Sequence, residues 1–384
     1  MTLREKIIRQ IREHGPMPFS RYMEICLYDA EFGYYSRSAG QFGKAGDFYT
    51  SSDVHAVFGR LLARQFEELW RVLGSPQHIE LLELGPGRGL FARDVLDWSQ
   101  KKFPALFEAM SYTLAETSPA LRKNLESRLA DHFSSGKVAL SENPPMRALS
   151  PDVPLIVFAN EFFDALPVEI LSSQGKLMIS ESDGRFVESW VPATPEELAF
   201  LDRYSVQPEL GERLEIPLVS QQAIGAIADQ LERGVLIAID YGYTRAEQLA
   251  GRHRGTLMTY RQHSASPNPY EAPGEQDITA HVNFTALAAQ AEQSGLQVQP
   301  LITQAQFLLG IGEENQFADA FEDCQLPQEK AKVALQLKHL ITPAGVGENF
   351  QVMLASQGVP EVSILDLAGL SFGKHRPEVL RAKS

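Results

Sequence analysis

Ile79-Glu80-Leu81-Leu82-Glu83-Leu84-Gly85-Pro86-Gly87-Arg88-Gly89 joins a continuous apolar run to a carboxylate and three glycines at alternate positions. The run reads as a buried parallel strand and the glycines as the tight turn after it. From Leu90 onward, Leu90, Phe91, Val95 and Leu96 recur at helical spacing. Ligands of open α/β sheets bind at such a strand-to-helix turn. Glycine lets the backbone approach a ligand with no Cβ between them. Gly85, Gly87 and Gly89 are therefore candidate cofactor contacts, and the stretch predicts a Rossmann-like α/β fold.

Glu83 bears on which ligand that is. A dinucleotide brings a pyrophosphate, which wants backbone N–H groups and a helix N-terminus. S-adenosylmethionine brings no phosphate but a sulfonium, an α-ammonium and ribose hydroxyls. A carboxylate just before the first glycine repels a pyrophosphate and suits a cation. Glu83-x-Gly85-x-Gly87-x-Gly89 therefore favours S-adenosylmethionine over NAD, although Gly87-x-Gly89-x-x-Ala92 also fits the looser dinucleotide fingerprint. A purely structural turn is the remaining alternative.

The next segment points the same way. Ser111 to Glu116 reads as a second strand ending in an acid, followed by a helix with Ser118 as N-cap and Pro119 at its first position. An acid at the end of the second strand is where nucleoside-binding folds hold ribose hydroxyls. Glu116 is the ribose candidate; the alternative is a surface acid favourable to a helix N-terminus.

The chain has 384 residues, 44% of them hydrophobic, enough for one large elaborated domain or two. Its 49 acids and 35 bases leave a net charge of -14, which speaks against a nucleic-acid partner. That charge suits a basic substrate or plain solubility. Cys26 and Cys324 fit no redox or zinc spacing, and the nine histidines form no ligand pair, so no metal site is expected. No long apolar span or signal segment is evident. Leu3, Ile7, Ile8 and Ile11 make an ordinary amphipathic helix, and a cytoplasmic protein without stable membrane insertion is expected.

Residues 1–75 read as a mostly helical segment with a glycine- and aromatic-rich break around Glu31–Tyr35 and Gly40–Ser52. Strands are expected near 79–84, 111–116, 136–140, 154–159, 234–240 and 350–356, with the last paired to Leu296–Leu301. Between the apolar runs 154–159 and 234–240, short strands at 168–172, 177–181 and 186–190 give way to helices and loops over 194–232. The chain thus divides into an N-terminal segment 1–75, a Rossmann-like domain 76–167 and 233–384, and a smaller inserted α+β lobe 168–232 on the substrate side.

Asn160-Glu161-Phe162-Phe163-Asp164-Ala165-Leu166-Pro167 follows the fourth strand, where the sites of this architecture sit. Glu161 and Asp164, three apart, share a face if the segment is helical, and two carboxylates facing a methyl donor suit a guanidinium. Alternatively Asn160 caps a short helix and the acids are solvated. In Gly46-Asp47-Phe48-Tyr49-Thr50-Ser51-Ser52, Thr50 or Ser51 can reach the cofactor's carboxylate and Asp47 its ammonium, whereas locally Ser52 reads better as a cap for a helix from Asp53. Asp240-Tyr241-Gly242 closes the fifth strand and points into the cleft. Pro273 to Phe284 reads as a loop entering a helix capped by Asp277 or Thr279. His281 is a candidate proton acceptor, against the commoner structural role of a lone histidine.

Together these segments resemble the MidA-type class I methyltransferases, the family of the mitochondrial complex I assembly factor that methylates arginine. The resemblance rests on Gly46–Ser51, Glu83–Gly89, Glu116–Arg122, Asn160–Pro167, Asp240–Gly242, Gly255-Thr256-Leu257 and Asp277–Val282, which occur in family order from about residue 15 to 285. The glycine turn is generic to methyltransferases; Asn160–Pro167 and Asp277–Val282 are far more specific. The resemblance implies a class I methyltransferase sheet with a second lobe and S-adenosylmethionine as cofactor. It raises the standing of Asp47, Thr50 and Ser51 as cofactor contacts and adds Asn160 to them. It implies an arginine-bearing protein acceptor of the respiratory complex I type. Two departures are visible: Ser51-Ser52-Asp53 replaces the family's Thr-Ser-Pro-Glu, and Asn283 stands where an acid is common. The absence of a transit segment before the family start suggests a bacterial member. Glu83 and the glycine turn then hold the methionine end, Glu116 the ribose, and Glu161 with Asp164 the acceptor. The rivals are a small-molecule methyltransferase, a non-catalytic assembly or binding protein on the same fold, and, less well supported by Glu83, a dehydrogenase.

Overall fold

The apolar run at 79–84 is a strand at the centre of a parallel array. The computed structural model describes residues 1–36, 56–142, 153–261, 264–313, 315–342 and 345–372. Its principal elements begin with α1 (Leu3–His14), β1 (Met17–Pro18), α2 (Phe19–Tyr28) and α3 (Val57–Val72). Strands and helices then alternate: β2 (Ile79–Leu84), α4 (Leu90–Lys102), β3 (Met110–Ala115), α5 (Pro119–Arg128), β4 (Val138–Ser141) and β5 (Leu155–Asn160). There follow β6 (Glu169–Ser172), β7 (Gly175–Ser182), β8 (Arg185–Val191), β9 (Leu214–Ile216), α6 (Leu218–Ala228) and β10 (Gly234–Tyr243). The chain continues through β11 (Met258–Arg261), β12 (Ser264–Ser266), β13 (Asp277–Thr279), β14 (Val282–Asn283) and α7 (Phe284–Gln293). The last strands are β15 (Gln297–Val298), β16 (Ile302–Thr303) and β17 (Phe350–Gln357).

The main sheet has the order β15-β17-β10-β5-β2-β3-β4, with β14 beside β10 and β16 beside β17. The pairs β10–β5, β5–β2, β2–β3 and β3–β4 are parallel, and β17 enters antiparallel to β10. The chain builds outward from β2 through β3 to β4, then returns to the other side of β2 with β5 and β10. The strand order therefore reverses between β2 and β5, which places the ligand crevice at their carboxyl ends. The expected Rossmann-like α/β sheet is present.

Strands buried on both faces explain the continuous apolar runs. One face packs on α3, α4 and later helices. There Phe91 of α4 stacks on Phe158 of β5 at 4.4 Å, and Phe66 of α3 meets Phe158 edge-on at 5.7 Å. Such ring pairs add about 0.5–1.5 kcal/mol each beyond the area they bury, and they fix α4 directly behind the glycine turn. The opposite face packs on α6 and α7 through Ile224, Ile227, Phe284 and Leu287.

The second layer system is a five-stranded sheet, β1-β7-β6-β9 with β8 on β7, beside the three-stranded sheet β12-β11-β13. Its core joins distant parts of the chain: Leu3, Ile7 and Ile11 of α1 and Phe19, Tyr22 and Met23 of α2 pack with Ile170, Leu177, Ile179 and Ile278. Helix α1 starts with a Thr2–Glu5 capping box, which satisfies two of its orphan backbone donors. Among the described residues, no helix is long and apolar enough to cross a membrane.

Candidate active site

The glycines end β2 as the sequence suggests. Gly85, Gly87 and Gly89 have φ of 61°, 51° and 69°, the left-handed region. Among the described residues, a Cβ on Gly87 would meet nothing within 4 Å, so this residue faces open space there. A Cβ on Gly89 would lie 2.5 Å from the Leu125 Cδ2 of α5. Gly89 thus starts α4 and lets α5 pack close, one step outside the cavity, whereas Gly85 and Gly87 line it.

That cavity, about 750 Å³, lies at the carboxyl ends of β2, β3 and β5, a volume in the range of small-ligand sites. Among the described residues, seven carboxylates line it (Glu24, Glu83, Glu116, Glu142, Glu161, Asp164 and Asp277) against two cations, Arg21 and Arg88. Arg21 pairs with Glu24 at 2.6 Å.

Glu83, the last acid of β2, is buried and accepts a 2.8 Å hydrogen bond from the Tyr112 hydroxyl of β3. Burial pushes its carboxyl up to about 8, against the Tyr112 donor. Glu116 stands just past β3, its N–H bonded to the Ser141 carbonyl and its Oε1 accepting the Ser118 N–H at 2.8 Å. Burial raises it to about 7, opposed by the Ser118 and Thr117 N–H groups. Ser118 caps α5 as expected, accepting from the Leu121 N–H at 3.3 Å while its hydroxyl donates to the Tyr35 carbonyl.

The turn after β5 supplies the third group. The Glu161 N–H continues the ladder to the Ile239 carbonyl at 2.9 Å. Glu161 itself has φ of 51°, a conformation that costs a non-glycine residue about 1–3 kcal/mol. The Asn160 Nδ2 donates to Glu161 Oε1 at 3.1 Å, and the buried Asn160 Oδ1 has no hydrogen-bond partner among the described residues. Burial, then the neighbouring Asp240, Glu161 and Asp277, raise the Asp164 carboxyl well above the usual range.

Asp240 does not open into the cleft as its place after the fifth apolar run suggested. Its Oδ2 accepts the N–H groups of Phe162, Phe163 and Asp164 at 3.1, 2.9 and 3.3 Å, and its Oδ1 accepts that of Tyr241 at 2.9 Å. Residues 277–279 form a strand rather than a helix start. The cap of α7 is Asn283, whose side chain accepts from the Ala286 N–H at 3.0 Å.

His281 is not among the residues that line the cavity. The parallel pairing Gly242↔Val282 carries it behind the Tyr241 ring, with its Nδ1 3.4 Å from the Nδ1 of His253. Burial and His253 hold it down to about 4. Asp47, Thr50 and Ser51 lie outside the described residues.

Sequence reasoning missed one wall. Ser20, Glu24 and Tyr28 of α2 line the cavity together with Tyr34 and Tyr35. The available signal was the i, i+4, i+8 spacing of Ser20, Glu24 and Tyr28, which sets three polar groups on one face of the helix. Tyr35 is tied to another lining residue, its hydroxyl donating to Asp277 Oδ1 at 2.9 Å.

Open space at Gly87 and an unpaired amide oxygen at Asn160, both among the described residues, together with a buried acid after β3, fit a cationic nucleoside, which brings hydrogen-bond donors to the site. Fold and site are those of an S-adenosylmethionine-dependent methyltransferase. Residues 61–302 match the family described as "Putative S-adenosyl-L-methionine-dependent methyltransferase", and the chain belongs to that family. It is 30% identical to the mitochondrial protein arginine methyltransferase NDUFAF7 homolog of Drosophila melanogaster, over 93% of this chain and 85% of that protein. The Danio rerio mitochondrial protein arginine methyltransferase NDUFAF7 is 28% identical, over 88% of this chain and 82% of its own. A crystal structure of a COG1565 superfamily member from Burkholderia thailandensis, bound to S-adenosyl-homocysteine, superposes with a TM-score of 0.81 at 28% identity. It covers 96% of this chain and 94% of that one. The expected cofactor, S-adenosylmethionine, and the expected enzyme class both stand.

Proposed function

We propose that this enzyme methylates a guanidinium nitrogen of an arginine side chain in a protein. The observation that carries the reading is the acid lining: among the described residues, seven carboxyl groups against two arginines, with Glu161 and Asp164 on one turn beside the glycine loop. Kinship with chains named protein arginine methyltransferase supports it. Within this reading the acceptor is a subunit of the respiratory complex I type, as the resemblance to the assembly-factor family implies.

S-adenosylmethionine supplies a methyl group on a cationic sulfur. Glu83, Gly85, Gly87 and Asn160 hold its methionine end, and Glu116 its ribose. Glu161 and Asp164 accept the N–H groups of the guanidinium, orient it and leave one nitrogen facing the methyl. The wall formed by α2 and Tyr35 keeps water from the reacting atoms.

The test is incubation of the purified enzyme with methyl-labelled S-adenosylmethionine and a lysate from cells lacking it. Labelled protein is then analysed residue by residue by mass spectrometry. Label on arginine is the expected result; label confined to small molecules, or none, overturns the reading. Glu161→Gln is expected to slow labelling about tenfold to a hundredfold, the worth of one charge-assisted hydrogen bond, with binding of S-adenosylhomocysteine unchanged.

A further inference from the structure

Asp240 is fully buried within β10 and is not among the residues that line the site cavity, yet four backbone N–H groups converge on its carboxylate. Three of them are consecutive, from Phe162, Phe163 and Asp164. Consecutive N–H groups aimed at one point form an anion-binding nest, and here the anion is supplied by the protein itself. The nest belongs to the turn that carries Glu161 and Asp164. The residue before it, Glu161, is held with φ of 51°. Such a conformation persists where surrounding contacts over-determine it. Here the contacts are the Ile239 carbonyl on the Glu161 N–H and the Asp240 carboxylate on the next three.

We propose that Asp240 is a positioning residue: its carboxylate clamps the 161–164 turn so that Glu161 and Asp164 present their carboxylates to the methyl acceptor. The reasoning rests on the acceptor role given above to Glu161 and Asp164. Burial raises the Asp240 carboxyl to about 7 and the four N–H groups oppose that rise, so the clamp is strongest once Asp240 is ionised and accepts from all four without offering a donor. It also places a negative charge beside Asp164. The other groups facing Asp164 are Glu161, Asp277 and the phenols of Tyr28, Tyr35, Tyr241 and Tyr260. None of these is a cation, so Asp240 delays the ionisation of Asp164, which a bound guanidinium would restore.

Asp240→Asn tests this, because it keeps the size and removes the charge. Three quantities are read on the full chain: amide hydrogen exchange, affinity for S-adenosylhomocysteine, and the rate of labelling of the lysate as a function of pH. The clamp predicts that the amides of Phe162, Phe163 and Asp164 exchange at least about tenfold faster, since each loses a charged acceptor. S-adenosylhomocysteine binding is expected to be unchanged. Labelling is expected to fall about tenfold to a hundredfold, the cost of a displaced reacting group. The acid limb of its pH profile is expected to move to lower pH, because Asp164 no longer faces a charge. A merely structural aspartate would not combine faster exchange confined to these three amides with slower labelling at unchanged S-adenosylhomocysteine affinity.

Wild-type protection of the three amides overturns the proposal, and so does faster exchange with unchanged rate and pH profile. If Asp240→Asn alone does not fold, Glu161→Gly is added, because glycine adopts the left-handed conformation unaided; the same comparison of the three amides, now against Glu161→Gly, then decides. If label lands on small molecules, the arginine reading falls, while the exchange and rate of Asp240→Asn still decide the clamp.

Discussion

Glu83 is a carboxylate whose ionisation the fold opposes. Its carboxyl is raised from an ordinary 4.5 to about 8 by burial. A group raised on folding contributes stability below its unfolded value and loses that contribution as pH climbs through its folded one. The ligand-free protein should therefore lose thermal stability as pH climbs from about 4.5 to about 8, and Glu83→Gln, which is neutral throughout, should lessen that loss. Melting curves of the two proteins across that range check this; parallel curves would show that Glu83 is not the group responsible. The acid itself was legible in the sequence, because a charge ending an apolar strand has few innocent explanations. Its Tyr112 partner was not, since that contact depends on the register of β2 against β3. Asp240 teaches the same lesson more sharply. Three of its four donors lie over seventy residues upstream, and no local pattern announces three N–H groups converging from another segment.

The strand-to-helix turn is where local rules served best. The apolar runs, the alternate glycines and the Ser118 cap all fold as their chemistry dictates, because each answers to its own neighbours. The short elements escaped: β1 has two residues and β9 three, too few for a period to emerge. Likewise the cap of α7 is Asn283 and not Asp277 or Thr279, because the intervening residues are drawn into β13 and β14. The three glycines of the turn differ in what they tolerate. Gly89→Ala pushes against Leu125 and should cost about 1–3 kcal/mol of stability, with cofactor affinity nearly intact. Gly87→Val fills the open space before the ligand and should cut S-adenosylhomocysteine affinity at least about tenfold, for about 1 kcal/mol of stability. Thermal melts and calorimetric titrations of the two variants separate the effects. Equal losses of affinity would show that both glycines meet the ligand.

At the level of the whole molecule, the cavity has two walls from separate parts of the fold. One is the main sheet with its glycine turn. The other is α2 and Tyr35, seated on the second sheet and tied back by Tyr35 to Asp277 and by Ser118 to the Tyr35 carbonyl. A ligand that touches both should slow amide exchange in residues 19–36 as well as in 84–91 and 116–118. Protection limited to the glycine turn and Glu116 would mean that α2 is a bystander. This wall was the part of the site least visible in the sequence, because α2 reads as an apolar core helix until its neighbours are known. The alternation that spells a parallel sheet was plain throughout. Strand β17 bears on a different matter, the birth of the protein. It covers β10 from its first residue to its eighth, pairing residue by residue from Gly234↔Gln357 to Tyr241↔Phe350. During synthesis β10 must therefore wait, one edge bare, for roughly ten seconds until β17 leaves the ribosome. Throughout that interval the nascent chain carries a long, sticky, unpaired strand, and its need for chaperones should be greatest just before the final strand arrives.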